Sequence, residues 1–399
     1  MDLTVARPGV LMVTGAYYPE LSGAGLQCRA LVKRLRDQVD FTILTTTTDR
    51  SLPSVDVEDG VAVHRVFVDP ASWWSKTKAA VRLTICFMRA SRRFSIVHLH
   101  GFSQKSILLV WLALAGSKKL AIKLTSVGHD DPVSMRRRGR LVSWCYARAD
   151  VFFAVSPRFL ESYDAAGFPR SRWRLIPNGV DLERFRPPAA GERDTLRRAL
   201  AIPGRGPMVL FVGFFSREKR PDRLFDAWAA VARSVPDSVL VFVGTTRPSY
   251  YEIDGRLADE IRVRADAMGL GPRIHFVEVT REIERFHRAA NLFVLSSVRE
   301  GLPNALLEAM ASGAACIATR LEGVTDSVIQ DGQNGLLVPP DDPAALESAL
   351  RRLLDDPTLA MRLGCEARST MEARYGLDQT ARQYLEAYRD LLNGQPCVA

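Results

Sequence analysis

The chain lacks a cysteine pattern, a long apolar run and an internal repeat, and each absence removes a class of protein. Its six cysteines (28, 86, 145, 316, 365 and 397) all lie more than thirty residues apart. No pair has CxxC or metal-ligand spacing, which speaks against a zinc site or a disulfide framework and predicts reduced thiols. The longest apolar run, Ile107 to Ala115, is far too short to span a bilayer. The apolar start Val10-Leu11-Met12-Val13 has the length of a strand rather than of a secretory signal, so the expected compartment is the cytoplasm. Neither a solenoid period nor a low-complexity tract is found. A dinucleotide-binding oxidoreductase needs G-x-G-x-x-G after the first strand, and Ser22-Gly23-Ala24-Gly25 does not continue with the third glycine. No recognised nucleic-acid motif occurs.

What is present is the balance of a globular protein, 47% hydrophobic and 25% charged, over 399 residues, a length that suits two domains. A formal charge of +9 favours anionic partners such as phosphorylated ligands or an anionic membrane face. Strand-like apolar runs alternate with helix-like segments in both halves. Val10–Thr14, Asp40–Leu44, Val61–Val68, Ile96–Leu99, Leu120–Leu124 and Val151–Val155 are the clearest strands of the first half. Met208–Val212, Val239–Val243, Ile274–Val277, Leu292–Leu295 and Ala315–Ala318 are those of the second. Continuous apolar runs bounded by Gly, Pro and Ser predict parallel sheets covered on both faces, an α/β doubly wound class. The expected division is a first domain over 1–185, a polar, Pro-rich linker over 186–206, and a second domain over 207–376. A last helical segment over 377–399 carries Leu377, Ala381, Tyr384, Tyr388 and Leu391 on one stripe and is expected to pack back on the first domain.

The densest chemistry lies between Ser296 and Pro340. After the strand ending at Leu295 a turn leads into a helix, with Pro303 expected in its first turn and Gly313 at its stop. Backbone N–H groups at that helix start make a ready anion site. Glu300 precedes the helix and Glu308 sits about two turns into it, roughly 200° from Leu306, so Glu308 can face a cleft while Leu306 and Met310 pack. A carboxylate there accepts from paired hydroxyls. Taken alone, two such glutamates are ordinary exposed helix residues.

Their surroundings carry more. Glu300-Gly301-Leu302-Pro303-Asn304-Ala305-Leu306-Leu307-Glu308 resembles the E-x7-E signature of the family 4 glycosyltransferases. Asn334-Gly335-Leu336-Leu337-Val338 with Asp341-Asp342-Pro343, and Ile176-Pro177-Asn178-Gly179-Val180-Asp181, are similar to further segments of that family. So is the glycine-rich first loop, Tyr17-Tyr18-Pro19 with Ser22-Gly23-Ala24-Gly25. The resemblance runs in order over nearly the whole chain. It implies the GT-B fold, two Rossmann-like domains facing each other across a deep cleft, and a retaining transfer of sugar from a nucleotide-sugar donor, most often UDP-linked. It implies that Glu308 accepts from ribose hydroxyls, that Glu300 contacts the transferred sugar, and that Gly301, Leu302 and Asn304 lie near the sugar and diphosphate. It further implies that Gly23 lets backbone approach the diphosphate and that Lys219 neutralises the leaving group.

Phe214 stands where the family usually has arginine, and Arg217 or Arg220 is the candidate replacement. The histidine that the family places near the reacting sugar matches His129 best, with His98 and His100 as rivals. No D-x-D pair occurs, which points away from the metal-dependent GT-A type, and no cofactor is expected beyond the donor. The acceptor implied is a saccharide or lipid-linked hydroxyl, in polysaccharide or glycolipid assembly. Trp73-Trp74 with Lys76, Lys78, Arg82, Arg89, Arg92 and Arg93 suits an anionic membrane surface, and Arg136-Arg137-Arg138 with Arg140 an acidic or lipid-phosphate acceptor; the alternative for both is a solvated basic face, which suits the second segment better than the first. The competing readings are another GT-B activity (an epimerase or phosphorylase), an NAD-type oxidoreductase, and a catalytically silent basic membrane-binding module.

Overall fold

The computed structural model describes residues 7–20, 22–203, 206–246 and 253–395; Cys397 and parts of the expected segments 1–185, 186–206, 207–376 and 377–399 lie outside them. The chain divides into two compact units, Met1–Gly179 with Leu377–Ala399, and Val180–Gly376.

In the first unit the described strands are β1 (Gly9–Thr14), β2 (Asp40–Thr47), β3 (Val55–Glu58), β4 (Val61–Phe67), β5 (Ile96–His100), β6 (Lys119–Leu124), β7 (Val151–Ala154) and β8 (Trp173–Leu175). They form one sheet in the order β3-β4-β2-β1-β5-β6-β7-β8, parallel except where β3 meets β4. Its helices are α1 (Gly23–Leu35), α2 (Trp73–Ala90), α3 (Gln104–Ala115), α4 (Pro132–Arg137), α5 (Arg140–Tyr146) and α6 (Phe159–Ala165). β1 has β2 on one side and β5 on the other, so the topological switch falls there. Ligands of open α/β sheets bind outside the carboxyl ends of strands at such a point.

The second unit opens with α7 (Glu192–Ala199), inside the stretch read from sequence as a linker. Arg197 explains the difference. Its buried guanidinium donates to Ala289 O (3.0 Å), Gly206 O (2.7 Å) and the Asn291 side chain, fixing this stretch to the unit's body. The strands β9 (Met208–Val212), β10 (Val239–Val243), β11 (Ile274–Val277), β12 (Leu292–Leu295), β13 (Ala315–Thr319) and β14 (Leu336–Val338) form an all-parallel sheet in the order β11-β10-β9-β12-β13-β14. Its other helices are α8 (Pro221–Ala232), α9 (Arg256–Ala267), α10 (Ile283–Ala289), α11 (Asn304–Ala311), α12 (Pro343–Asp355) and α13 (Pro357–Arg374). Here the switch lies between β9 and β12.

Local chemistry sets the helix starts. Asp131-Pro132, Asp342-Pro343 and Asp356-Pro357 each place an aspartate at the N-cap and proline at the first helical position. The carboxylates accept from Ser134 N (3.0 Å), Ala345 N (2.9 Å) and Leu359 N (2.9 Å). Each such cap is worth about 1 kcal/mol.

The final helix α14 (Leu377–Asn393) belongs to the first unit. Its stripe of Ala381, Tyr384, Tyr388 and Leu391 packs with α1 against Met12, Ile96 and Phe153 of the sheet. The chain enters α14 so close to Gly179 that a Cβ there would lie 2.8 Å from Leu377 Cα. α2, α3 and α5 form a separate layer in which α3 packs against both neighbours. Among the described residues no helix is long and apolar enough to cross a membrane.

Candidate active site

The loops after β9 and β12 meet at the switch point of the second sheet, and they hold most of the residues singled out in the sequence. β9 and β12 pair directly, Leu292 with Val209 and Phe293 with Leu210, so their carboxyl ends are adjacent. The first loop runs from Gly213 to Arg220 and the second from Ser296 to Pro303. Three contacts tie them together. Ser296 Oγ donates to the carbonyls of Lys219 and Arg220, each at 2.9 Å. Val298 N donates to Glu218 O at 2.8 Å. Arg299 pairs with the Glu218 carboxylate.

Across this seam Lys219 and Glu300 meet, Nζ to Oε1 at 2.5 Å, although 81 residues separate them in the chain. The Glu300 side chain is only 9% exposed and that of Lys219 29%. A pair so sheltered keeps two opposite charges neutralised at one spot, which water screens little.

The helix after the second loop is α11. Pro303 is its N-cap, not a residue of its first turn: ψ of 114° holds it extended, and its carbonyl accepts from Leu306 N and Leu307 N. Helix therefore begins at Asn304. Gly301 and Leu302 are buried in the approach. Leu306 and Met310 are fully buried, while Glu308 stands off that face with its side chain 19% exposed, as the helical spacing predicts. Its Oε2 comes within 3.4 Å of Nε2 of His287 on α10, a close approach without hydrogen-bond geometry. His287 is buried, and among the described residues neither ring nitrogen has a hydrogen-bond partner. No spacing in the sequence signals His287, which comes from a different helix.

The candidate replacements for the cation at Phe214 are both engaged. Arg217 is exposed and pairs with Asp254 at 3.1 Å. Arg220 is held by Asp341 (2.9 Å) and Asp222 (3.2 Å) and has left-handed backbone, φ 50°. Two carboxylates hold Arg220 and one holds Arg217, so Arg217 is the freer of the two to turn toward a ligand.

Gly23 and His129 belong to the first unit. Gly23 opens α1, whose N-cap Ser22 accepts from Gly25 N at 3.0 Å. His129 is half-buried in the turn after β6. Two aspartates build that turn. Asp130 accepts from Thr125 N (2.9 Å), Thr125 Oγ1 (2.6 Å) and Ser126 N (2.9 Å). Asp131 accepts from Gly128 N (2.7 Å), Ser134 and Ser162. Burial pushes the Asp130 carboxyl up; for Asp131 burial also raises it, but its hydrogen bonds prevail and hold it below the usual range. The rivals His98 and His100 are interior. His98 Nδ1 lies 2.7 Å from the Tyr388 hydroxyl of α14, and burial, aided by Lys123, drives both histidines well below their ordinary pKa. Both stay neutral inside the core, which leaves His129 as the reachable one of the three. Among the described residues no group of three or more His, Cys, Asp or Glu is arranged to hold a metal ion.

Comparison with known proteins bears on the family and the fold. Residues 21–184 match the family described as Glycosyltransferase Family 4, and residues 192–370 that described as Glycosyl transferases group 1. A D-inositol 3-phosphate glycosyltransferase of Corynebacterium urealyticum is 33% identical over 241 residues, 58% of this chain and 53% of the relative. One from a Nocardioides species is 27% identical over 401 residues, covering 93% of this chain and 85% of the relative. The crystal structure of Anabaena HepE in complex with UDP and glucose aligns with a TM-score of 0.79 at 16% identity, over 96% of this chain and 100% of that one. That likeness shows the fold, GT-B. The oxidoreductase reading loses its support, and with both halves matched in order the chain belongs to the family 4 glycosyltransferases.

Proposed function

We propose that the protein transfers a sugar, with retention of configuration, from a nucleoside-diphosphate sugar to an acceptor hydroxyl, and that the donor is UDP-linked. The observation that carries this reading is the Lys219–Glu300 pair at the β9/β12 switch point, with α11 beginning directly behind it and Glu308 on its open side. A diphosphate suits a lysine beside a helix start: the helix end contributes about 0.3–1 kcal/mol when exposed and nearer 2 when sheltered. Glu308 accepts from the two ribose hydroxyls, and Glu300 from hydroxyls of the transferred sugar while Lys219 turns to the diphosphate. Gly301, Leu302 and Asn304 line the approach to the sugar and diphosphate. UDP as donor draws support from the UDP complex of HepE, although identity with that protein is low.

In the proposed step the bond from the anomeric carbon to the phosphate oxygen breaks and the acceptor oxygen bonds on the same face. The acceptor's proton passes to the departing phosphate. Such a front-face displacement needs positioning and charge stabilisation rather than a protein nucleophile. Lys219 and Arg217 stabilise the leaving charge, each such preorganised donor being worth about 3–4 kcal/mol. Gly23 is assigned to the diphosphate and His129 to the reacting sugar, as the family resemblance implies. The curated relatives are named for D-inositol 3-phosphate; for this chain an acidic saccharide or lipid-linked acceptor, in polysaccharide or glycolipid assembly, fits the basic first unit.

The test is turnover of UDP-, GDP- and ADP-sugars by the whole chain, with product configuration read by NMR. Transfer from a UDP-sugar giving the donor's own anomer supports the proposal. An inverted product, or exclusive use of another nucleotide, overturns the corresponding part.

A further inference from the structure

The layer of α2, α3 and α5 on the first unit is apolar where it should not be. α2 buries Ala79, Leu83, Phe87 and Ala90 against the unit. Its far side is not polar in return. Trp73 and Trp74 are 67% and 68% exposed, and Val81, Ile85 and Met88 are exposed with them. At 100° per residue these five fall within a sector of about 120°, roughly opposite the buried stripe, and Lys78, Arg89 and Arg82 occupy the next 60° or so. α2 thus has two apolar faces and only one of them is covered.

The neighbouring helices continue the pattern. Trp111 of α3 stacks on Trp144 of α5 with ring centroids 5.0 Å apart, both exposed, and Leu114 and Leu141 lie exposed on the same two helices. The Arg148 guanidinium covers the Trp144 ring at 4.4 Å. Of six tryptophans in the chain four are exposed, and all four belong to this layer; Trp173 and Trp228 are buried.

Charge points the same way. Between Ala71 and Ala149 the sequence holds fifteen Lys and Arg against two acids, an excess of thirteen that is larger than the +9 of the whole chain. Both acids, Asp130 and Asp131, are committed to the turn after β6. Among the described residues none of Lys76, Lys78, Arg82, Arg89, Arg92 and Arg93 forms an ion pair. Exposed tryptophans flanked by unpaired basic residues match the chemistry of a lipid headgroup boundary, where rings sit at the interface and cations meet phosphates. A second copy of this chain fits worse, because face-to-face packing would set like charges against each other with no acid between them.

We propose that this layer seats on an anionic lipid bilayer, with Trp73, Trp74, Val81 and Ile85 entering the headgroup boundary and Lys78, Arg82 and Arg89 meeting lipid phosphates. The test of this surface does not use transferase activity. The whole chain is sedimented with vesicles of phosphatidylcholine alone and of phosphatidylcholine mixed with phosphatidylglycerol, at low and high salt. Binding is expected to the mixed vesicles only and to weaken as salt rises. Trp73→Ala with Trp74→Ala, and separately Lys78→Glu with Arg82→Glu, each weaken it about tenfold or more. Val263→Ser, an exposed apolar residue of the second unit, leaves it unchanged. The variant side chains are exposed, and an unchanged melting curve confirms that each variant folds. Absence of binding to mixed vesicles overturns the proposal, as does equal binding to neutral ones or equal binding by the variants. A lipid-free dimer that the same variants dissociate assigns the surface to a second copy and overturns it too.

Discussion

The two units share an architecture, a parallel sheet between helical layers, and differ in how they handle charge. The first unit holds 28 Lys and Arg against 17 Asp and Glu, a net +11; the second holds 26 against 28, a net −2. In the second unit basic side chains are matched locally: Lys219 by Glu300, Arg217 by Asp254, Arg220 by Asp341, Arg299 by Glu218. In the first, a long stretch has almost no acid to match. The same fold therefore supports a loop seam whose charges are paired with one another, and a surface whose charges are left without acidic partners.

The largest expected effect comes from breaking that pairing. Lys219→Ala should lower kcat about 10²–10³-fold, because the lysine acts on the leaving diphosphate; steady-state kinetics at saturating donor reads it. An unchanged kcat would reduce the Lys219–Glu300 pair to a structural contact.

Next is the backbone that holds the β9 loop. Gly244 has φ +154°, and a Cβ there would lie 2.0 Å from Gly213 O. Gly244→Ala should cost about 3 kcal/mol or more in urea unfolding, since the clash is with backbone that cannot swing aside.

The first unit buries a lysine with no carboxylate beside it. Lys123 is buried, and burial, partly offset by Cys28, pushes its ammonium down to about 8. Below pH 8 the lysine is protonated in both folded and unfolded chains, and the cost of burying that charge is fully present. Between pH 8 and 10.5 the unfolded chain binds more protons, so stability rises with pH. Lys123→Met should gain about 1–3 kcal/mol at about pH 7 in urea unfolding, a gap that narrows toward about pH 10. A gap that is constant with pH would mean that the group is not desolvated.

The smallest effect on stability belongs to the basic surface. Trp73→Ala with Trp74→Ala should shift unfolding by no more than about 0.5 kcal/mol, because both residues are about two-thirds exposed. A larger loss would mean that they pack within the first unit and would remove that contrast between the units.

Much of this was legible in the sequence because parallel strands buried on both faces read as continuous apolar runs: Met208–Val212, Val239–Val243 and Leu292–Leu295 match the observed strands residue for residue. β3 was missed because Val55-Asp56-Val57-Glu58 is a short edge strand with its valines exposed. β8 and β14 have three residues each, too few to show a pattern. The stretch 186–206 read as a linker because the anchoring of Arg197 depends on Ala289 and Asn291, more than ninety residues away. Within the site, the x7 spacing that puts Glu300 before α11 and Glu308 on its open side is local and readable. The meeting of Lys219 with Glu300 and the approach of His287 to Glu308 are tertiary, and no local spacing encodes them. The engagement of Arg217 by Asp254 is likewise visible only in the fold.

The measurement that tests the central claim most directly is a thermal shift of the whole chain with UDP, GDP, ADP, CMP and NAD, for the wild type and for Glu308→Ala. A nucleotide at about a hundred times its dissociation constant adds about 2.7 kcal/mol of stability. The account predicts a clear shift with UDP that is much smaller in Glu308→Ala, because the ribose loses its acceptor. No shift with any nucleoside diphosphate, a shift with NAD alone, or an equal UDP shift in both proteins would contradict it.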